Sequence, residues 1–412
     1  MGNRPLEGIR VVEMATFIAA PCTARFLADL GAEVIKVEPP MGDPLRYTAV
    51  NEGRPLDQKE NTSYDLENAG KTCISLNTKS EEGREALEKL LATADVFICN
   101  WRQSPLKRAG LDWETLHEKY PKLVYGYVSG YGEKGPDKDL PGFDFTAFYA
   151  RGGILGPLRD KNSLPMLTVQ GFGDHQVAMN LAAGVLAALF KAKMTGEGDH
   201  VVVSLFHSAI WDISLMLQAS QYGADSTQYP MERWKLGNPL VLCYETADGQ
   251  WLQIAMPQYD RHYPILMNAM GYPELADDAR YYPQKNLIPN REEFSAWITA
   301  EFKKKTCDEW CKLLDANDLP YAIAQEWDSL LEDKQAWASD CFYEMSYSNG
   351  NKRTLVRPPV LFDQMGLPPY ERGPYLGEQT KDILGELGYS AEAIDELIKS
   401  GAAIDMDPVL RD

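Results

Sequence analysis

Short apolar runs alternate with longer amphipathic stretches along the first 130 residues of the chain. The runs have strand character and lie at residues 8–14, 32–37, 72–76, 95–99 and 123–128. Between them, residues 21–30 and 80–92 repeat apolar side chains at helical spacing, with Ser80 placed to cap the second helix. Strands that alternate with helices in this way predict a parallel, doubly wound, Rossmann-like α/β sheet.

The pattern continues for about 90 residues and then changes. Residues 176–193 predict a long apolar helix, 200–204 a strand and 208–222 another helix. Farther on, apolar runs at 241–246 and 251–256 flank a polar turn, which is typical of a hairpin. We therefore expect a large domain built from both chain ends (1–205 and 335–412), a linker helix (206–224), and a smaller α+β domain with its following linker (225–334).

Composition and charge narrow the classes of partner. The 60 acidic and 41 basic side chains give a net charge of −19, which argues against nucleic acid as a partner. Residues 1–110 are nearly neutral, so an anionic ligand is expected to bind there. No run approaches the ~20 uninterrupted apolar residues of a membrane helix, and the N-terminus lacks the pattern of a signal peptide. We expect a cytoplasmic protein with free thiols and no membrane partner.

Several familiar site motifs are missing from the sequence. The first βα turn, at residues 15–21, lacks the G-x-G-x-x-G pattern of dinucleotide sites, and no G-x-S-x-G pattern of serine hydrolases is found. The five histidines form no H-E-x-x-H cluster, and Cys307 and Cys311 have no second ligand pair nearby in sequence, so a metal site is not indicated. The glycine-rich segment 126–136 fits either a tight turn after a strand or the close approach of a ligand.

The most informative segment is 171–179, Gly-Phe-Gly-Asp-His-Gln-Val-Ala-Met. It places Asp174 just before the predicted start of a long apolar helix, where the helix N-terminus stabilises an anion. The local pattern alone leaves two interpretations open, an N-cap and a carboxylate that faces a ligand. The glycines at 171 and 173 favour the second, because they clear side-chain bulk around the carboxylate.

Motifs in a fixed order connect nearly the whole chain to one family. The matching segments are 6–13 with 20–21, 30–38 with 42–46, 68–76, 94–101 with 108–110, 130–136, 141–144 and 173–174. They include Leu-Gly-Ala-Glu-Val-Ile-Lys-Val-Glu at 30–38 and Pro-Gly-Phe-Asp at 141–144. With these motifs the chain resembles the family III CoA-transferases, the formyl-CoA/carnitine CoA-transferase group.

The resemblance implies a covalent mechanism. The nucleophilic aspartate of the family falls on Asp174, which would attack an acyl-CoA thioester to give an acyl-aspartyl anhydride and then an aspartyl-CoA thioester. Coenzyme A esters are then substrates, and no permanently bound cofactor or metal is implied. Developing charge on the carbonyl oxygen needs fixed amide donors, which the neighbouring glycines are expected to supply.

The family's coenzyme A contacts carry over residue by residue. They fall on Phe17, Ile18, Ala19, Arg46, Lys71, Leu76, Lys79, Asn100, Trp101 and Arg108. Trp101 replaces a smaller aromatic residue, and Arg46 is expected to substitute for the basic residue that is usual where Pro39 stands. For Lys79 and Arg108 the alternative is ordinary surface charge.

The resemblance also implies a substrate class and an assembly. It is closest to the branch that serves 2-hydroxy acids, such as phenyllactate and 2-hydroxyisocaproate, in amino-acid fermentation, and members of the family are interlocked homodimers. The glycine-rich lid of oxalate-linked members is missing, since residues 235–239 read Lys-Leu-Gly-Asn-Pro. Five aromatic residues fit either an apolar acyl pocket or the core: Phe17, Phe143, Phe145, Phe148 and Tyr149.

Two other functions stay open at this point. One is an α-methylacyl-CoA racemase of the same fold, which works by proton transfer at the α-carbon. Racemases of the family carry a catalytic histidine where this chain has Phe143, so two-base chemistry is hard to arrange. The other is a non-catalytic CoA-binding activator subunit, which would tolerate the loss of Asp174.

Overall fold

The computed structural model describes residues 4–223, 229–368 and 370–410. These residues form two compact units. The first consists of the described residues within Met1–Ile154, Leu167–Ser214 and Lys334–Asp412, and the second of those within Leu155–Met166 and Leu215–Asp333. The expected boundary between the linker helix and the smaller domain, at 224/225, lies outside the described residues.

Twelve strands and fifteen α-helices occur in the described part of the chain. The strands are β1 Arg10–Met14, β2 Glu33–Glu38, β3 Thr72–Leu76, β4 Val96–Cys99, β5 Val124–Ser129, β6 His200–Ser204, β7 Cys243–Glu245, β8 Trp251–Ile254, β9 Tyr321–Ile323, β10 Phe342–Ser346, β11 Lys352–Val356 and β12 Ala403–Ile404. The helices are α1 Ala19–Asp29, α2 Thr62–Asn68, α3 Glu81–Leu91, α4 Gln103–Ala109, α5 Trp113–Lys119, α6 Phe172–Thr195, α7 Leu205–Asp212, α8 Ser214–Ala219, α9 Tyr259–Met270, α10 Gln284–Phe302, α11 Cys307–Asp315, α12 Trp327–Leu331, α13 Lys334–Ala338, α14 Thr380–Glu386 and α15 Ala391–Ser400.

A seven-stranded sheet organises the first unit. Its order is β12-β3-β2-β1-β4-β5-β6, and all pairs are parallel except β12 with β3. The chain builds outward from β1 to β3 and then returns to add β4, β5 and β6 on the other side. The order therefore reverses between β1 and β4, and ligands of open α/β sheets bind at such switch points. The predicted α/β class with a parallel sheet is confirmed.

Helices cover both faces of this sheet. On one face, α3, α14 and α15 bury their apolar stripes with the side chains of β1, β3 and β4 in one continuous core. The Ser80 hydroxyl accepts the Gly83 N–H at 3.1 Å and caps α3 as the sequence predicts. On the other face, α6 packs against α1, β5 and β6. By length and composition α6 is apolar enough to cross a membrane, but here its small residues pack against the sheet.

Two predicted helices differ in extent from those observed. The helix expected over 208–222 is divided into α7 and α8, followed by a 3₁₀ turn at Ser220–Tyr222. The helix expected at 176 begins at Phe172 instead. Its N-cap, Gly171, has φ +81°, a left-handed conformation that glycine adopts at little cost. The chain can therefore turn sharply at Gly171 and enter the helix four residues early.

The second unit is a smaller α+β structure. Strands β7, β8 and β9 form an antiparallel sheet, in which β7 and β8 are the predicted hairpin. Helices α9, α10 and α11 bury an aromatic-rich core against it. Cys307 is buried in that core, and Thr306 and Glu309 form a capping box at the start of α11, so this cysteine pair belongs to an ordinary packed helix.

Candidate active site

A cavity of about 230 Å³ opens in the first unit at the switch point of the sheet. The segments that follow three strands line it: residues 16–19 after β1, Asn100 and Arg102 after β4, and residues 127–130 at the end of β5. The rest of the lining is Lys138, residues 140–144, Asp174 and Leu205. Side chains from several strand ends thus converge on Asp174, which α6 brings from the far side. This convergence is what an active site in a doubly wound fold requires.

The loop after β1 is fixed by hydrogen bonds to two polar side chains. Asn100 Oδ1 accepts the Thr16 N–H at 3.1 Å, and Asn100 Nδ2 donates to the Thr16 carbonyl at 2.8 Å. Phe17 has φ +64°, which is costly for a residue with a β-carbon. The Phe17 N–H donates to Asp43 Oδ1 at 3.1 Å, and this bond holds the strained residue at the cavity wall.

Asp43 belongs to a buried cluster of four charged side chains. Lys36 Nζ lies 3.0 Å from Asp43 Oδ2 and 2.7 Å from Glu13 Oε1, while Lys71 Nζ lies 2.6 Å from Glu13 Oε2. All four side chains are fully buried. Lys71 also donates to the carbonyl of Pro21 and to Asn68 Oδ1. Burial lowers the pKa of Lys71 to about 8, and its bonds give it an internal role, so the expected coenzyme A contact remains only a prediction.

Asp174 lies in the first turn of α6, and the expectation that it precedes the helix is therefore wrong. The residue is half-buried and its carboxylate lines the cavity. No group of residues 4–223, 229–368 or 370–410 donates a hydrogen bond to that carboxylate. Burial, with repulsion from Asp144 and Glu67, raises the pKa of Asp174 to about 7. A carboxylate with so little solvation and no protein donor is a stronger nucleophile than one in water.

A second carboxylate, Asp144, lies beside the start of α6. It is only 5% exposed, and its Oδ1 accepts the Gly173 N–H at 3.1 Å. A β-carbon at Gly173 would come within 2.3 Å of Phe148 Cγ and 2.4 Å of Asp144 Oδ1. Glycine is thus required by close packing inside the protein. The N–H of Gly173 is also occupied, so the expectation that it would stabilise an oxyanion is wrong.

Unoccupied amide donors lie instead at the start of α1. The N–H groups of Ile18 and Ala19 have no acceptor among the described residues, and both residues line the cavity. Ile18 is the N-cap of α1 and makes no side-chain capping bond. A helix N-terminus carries partial positive charge, so these two groups suit an oxygen that becomes negative during reaction.

Four of the predicted coenzyme A contacts line the cavity with Asp174: Phe17, Ile18, Ala19 and Asn100. Lys79 and Arg108 are exposed, and Arg108 donates to Ser104 Oγ at 2.6 Å. Leu76 is buried in the core, and Trp101 packs partly against the same core. Their contacts with coenzyme A stay predictions.

Arg46 is engaged inside the protein. Its guanidinium makes two hydrogen bonds to Glu38, at 2.9 and 2.7 Å, and donates to the Pro374 carbonyl. Although burial opposes it, Arg46 lowers the pKa of Glu38 to about 2. Arg46 and Glu38 satisfy each other's charge. The sequence predicted that Arg46 substitutes for a phosphate contact, whereas in the structure its partner is Glu38 inside the protein.

The sequence did not single out two cations beside the cavity. Arg102 and Lys138 line it, are exposed, and make no side-chain hydrogen bond or ion pair to any described residue. Arg102 follows the predicted strand β4 and could have been found from that position.

The glycine-rich segment 126–136 allows two backbone segments to pack closely. Gly130 approaches Gly142 so closely that a β-carbon at Gly130 would lie 2.6 Å from Gly142 Cα.

The chain is similar to a known protein family and to several of its members. The model of CoA-transferase family III matches residues 6–380. The chain is 52% identical over 394 residues to cinnamoyl-CoA:phenyllactate CoA-transferase of Clostridium sporogenes, covering 95% of this chain and 96% of that protein. It is 41% identical to (R)-2-hydroxy-4-methylpentanoate CoA-transferase of Clostridioides difficile, covering 95% and 97%. The crystal structure of a CAIB/BAIF family protein from Brucella suis has a TM-score of 0.79 at 28% identity, covering 93% of this chain and all of that one.

Proposed function

This chain belongs to CoA-transferase family III, and we propose that it moves coenzyme A from an acyl-CoA to a free 2-hydroxy acid. The observation that carries the proposal is Asp174, which lines the cavity and whose carboxylate accepts no hydrogen bond from the described residues. The relatives at 52% and 41% identity are named for phenyllactate and 2-hydroxy-4-methylpentanoate. Both acids are 2-hydroxy acids with an apolar side chain.

In the first half of the reaction, an Asp174 oxygen adds to the thioester carbonyl of the donor. The C–S bond breaks, coenzyme A leaves as the thiolate, and Asp174 holds the acyl group as a mixed anhydride. The thiolate then attacks the aspartyl carbonyl of that anhydride. The donor acid leaves as a carboxylate, and Asp174 becomes a thioester of coenzyme A.

The second half repeats these steps with the acceptor. The carboxylate of the 2-hydroxy acid attacks the aspartyl thioester and releases the thiolate, which gives a new anhydride. The thiolate attacks the acceptor's carbonyl, forms the new acyl-CoA and restores the Asp174 carboxylate. No proton is gained or lost over the cycle, so a nucleophile and oxyanion donors suffice. The N–H groups of Ile18 and Ala19 line the same cavity and are placed to serve as those donors.

Coenzyme A brings phosphate groups to the site. The side chains of Arg102 and Lys138 have no hydrogen-bond or ion-pair partner in the described part of the chain, and charge-assisted contacts to phosphate would satisfy both. We therefore propose Arg102 and Lys138 as additional coenzyme A contacts. Asn100, one of the contacts predicted from the sequence, also orients the loop at Thr16.

An aromatic pair supports an acid with an apolar side chain. Phe17 and Phe143 meet edge to face, with ring centroids 6.2 Å apart, and both line the cavity. Leu140 extends the same wall. Of the other predicted aromatic residues, Phe148 and Tyr149 are buried and belong to the core. An aromatic ring of the substrate can pack against the exposed pair.

The setting of the enzyme is part of the same proposal. We expect a cytoplasmic homodimer that acts on 2-hydroxy acids in amino-acid fermentation. Coenzyme A esters are expected to be its substrates, with no permanently bound cofactor.

Hydroxylamine trapping tests the covalent steps. A resting carboxylate does not react with hydroxylamine, whereas an aspartyl anhydride or thioester does. Cinnamoyl-CoA with hydroxylamine should therefore inactivate the enzyme, hydroxylamine alone should not, and mass spectrometry should place the hydroxamate on Asp174. A racemase or a CoA-binding subunit would survive the same treatment. Modification of Asp144 instead would preserve covalent catalysis but refute the assignment.

A panel of acceptors tests the substrate class. With cinnamoyl-CoA as donor, phenyllactate and (R)-2-hydroxy-4-methylpentanoate should be converted to their CoA esters, and succinate should be a poor acceptor. Phe143→Leu should lower kcat/KM for phenyllactate more than for 2-hydroxy-4-methylpentanoate, because it removes an aromatic contact. Leu140→Ala, on the same wall, serves as a control for general loss of packing. Equal turnover of succinate would overturn the proposed class.

A further inference from the structure

Three helices bring polar side chains together next to Asp174. Cys22 of α1, Glu67 of α2 and His175 of α6 place their Sγ, carboxylate and imidazole atoms within 4.8 Å of one another. Glu67 Oε1 and His175 Nε2 are 2.9 Å apart. These side chains are separated by more than 40 residues in sequence, and the reaction steps above use none of them.

The spacing of this cluster favours a hydrogen-bonded pair over a metal site. Two ligand atoms on one tetrahedral zinc ion, at bond lengths near 2.1 Å, are about 3.4 Å apart. The 2.9 Å between Glu67 Oε1 and His175 Nε2 is shorter and is typical of a direct N–H···O bond. A hydrogen bond between Glu67 and His175 therefore accounts for the short distance without a metal ion.

Glu67 is the unusual member of the pair. It is 2% exposed, and its second oxygen, Oε2, accepts no hydrogen bond from the described residues. A carboxylate so deeply buried requires a charged partner. The imidazole of His175 is hydrogen-bonded to it directly. Lys71 interacts with Glu67 through its charge but gives its hydrogen bonds to Glu13, Asn68 and the Pro21 carbonyl.

We propose that Glu67 keeps His175 protonated, and that this imidazolium acts as a positioning residue which keeps the adjacent Asp174 carboxylate ionised for attack. The inference rests on the proposed function, because it deepens the role of the same nucleophile. His175 follows Asp174 directly in the first turn of α6, so the bond to Glu67 on α2 also fixes the backbone that carries the nucleophile.

The charges around His175 support this assignment. Against the effect of burial, the hydrogen bond and charge of Glu67 raise the pKa of His175, and the carboxylates of Asp174 and Asp144 raise it further. In return the imidazolium opposes the rise in the pKa of Asp174 that burial and the other carboxylates cause. The titratable and charged groups that act on the pair are Cys22, Lys71, Asp144 and Asp174, and Arg25 acts in turn on Cys22.

Proton NMR of the imidazoles tests the charge of the pair without reference to activity. The chain has five histidines, and the signal missing from His175→Gln identifies His175. In the wild-type protein this signal should titrate above pH 6.5, and in Glu67→Gln its midpoint should fall by about one pH unit. An unchanged midpoint in Glu67→Gln would overturn the proposal.

The pH profile of kcat/KM tests the effect on Asp174. His175→Gln keeps an N–H that can donate to Glu67 but removes the positive charge, so the acidic limb should move up by about one pH unit. The double variant Glu67→Gln/His175→Gln also removes the repulsion from Glu67, and its limb should return toward that of the wild type. A merely structural role would lower the rate in both variants and leave the limb in place, which would refute the inference.

The outcomes separate this inference from the proposed function. If the wild-type enzyme transfers no coenzyme A to any 2-hydroxy acid, the proposed function fails while the NMR result still decides the state of His175. If transfer depends on Asp174 but the acidic limb of the pH profile does not move in His175→Gln, only the inference fails. Circular dichroism spectra and melting curves of the three variants confirm that each is folded.

Discussion

The pair of carboxylates at the start of α6 predicts a specific response to pH. Asp174 and Asp144 share a poorly solvated site. Burial, with repulsion from Asp144 and Glu67, raises the pKa of Asp174 to about 7, and burial raises the pKa of Asp144 to about 6 against the hydrogen bonds that it accepts from backbone N–H groups. Asp174 must be ionised to attack, so kcat/KM should fall with decreasing pH below about 7. Asp144→Asn removes a negative charge while keeping an oxygen that can accept the Gly173 N–H. It should therefore move the acidic limb to lower pH.

The size of the effect follows from the ionised fraction. With a pKa of about 7, roughly a tenth of Asp174 is ionised at pH 6, and a fall in pKa of about one would raise this to about half. The ratio of kcat/KM at pH 6 to that at pH 8 should thus rise about fivefold in Asp144→Asn. The ratio cancels any change in intrinsic nucleophilicity or in the amount of active enzyme.

Initial rates with cinnamoyl-CoA and phenyllactate between pH 5.5 and 9 give the profile. The acceptor acid is fully ionised over this range and the donor titrates alike with both proteins, so a difference between their acidic limbs reports the free enzyme. Asp199→Asn is a matched control, because it makes the same chemical change in an exposed ion pair with Lys191 and should leave the limb where it is. A limb in Asp144→Asn that stays in place, or moves to higher pH, would refute the electrostatic reasoning.

Three further predictions concern single side chains. Asp174→Asn should abolish transfer while preserving the melting temperature and acyl-CoA binding, because an amide cannot form the anhydride; wild-type turnover would exclude the mechanism. Gly173→Ala should lower the free energy of unfolding by about 1–3 kcal/mol through its clash with Phe148, as measured by urea unfolding, whereas Gly385→Ala, which meets open space, should not destabilise. Arg108→Ala should raise KM for acyl-CoA about tenfold at low salt and less at high salt, if it pairs with a phosphate; an unchanged KM would mark Arg108 as surface charge.

Local pattern was enough to predict most of the sheet. Strands β1 to β6 are short apolar runs between helical stretches, and each is observed within two residues of its predicted bounds. Strands β1 to β5 are buried along most of their length, and strands buried on both faces of a parallel sheet give short apolar runs, whereas β6 at the edge is only partly buried. The start of α6 was missed because it depends on Gly171 in a left-handed conformation, and the sequence gives no sign of whether a glycine serves a turn or a ligand.

The site could be predicted only in part, because its charges pair over long distances in sequence. Asp174 stands out next to its glycines, but nothing local connects it with Asp144. Lys71 was predicted to contact coenzyme A, yet it is buried against Glu13, 58 residues away. Similarly, His175 and Glu67 are 108 residues apart. Such pairs arise from the packing of α1, α2 and α6 on the sheet, which the spacing of residues in the chain does not encode.

The crowding of carboxylates also bears on how a weak nucleophile becomes competent. Glu67, Asp144 and Asp174 lie around the first turn of α6, and the positive charge of His175 opposes their mutual repulsion. A rise in the pKa of Asp174 from its ordinary 3.8 to about 7 means that its ionised form is disfavoured by up to about 4 kcal/mol relative to water. Acylation removes that negative charge just as protonation does, so the same free energy favours formation of the anhydride. His175 limits the effect, because a higher pKa would leave too little carboxylate at neutral pH to attack.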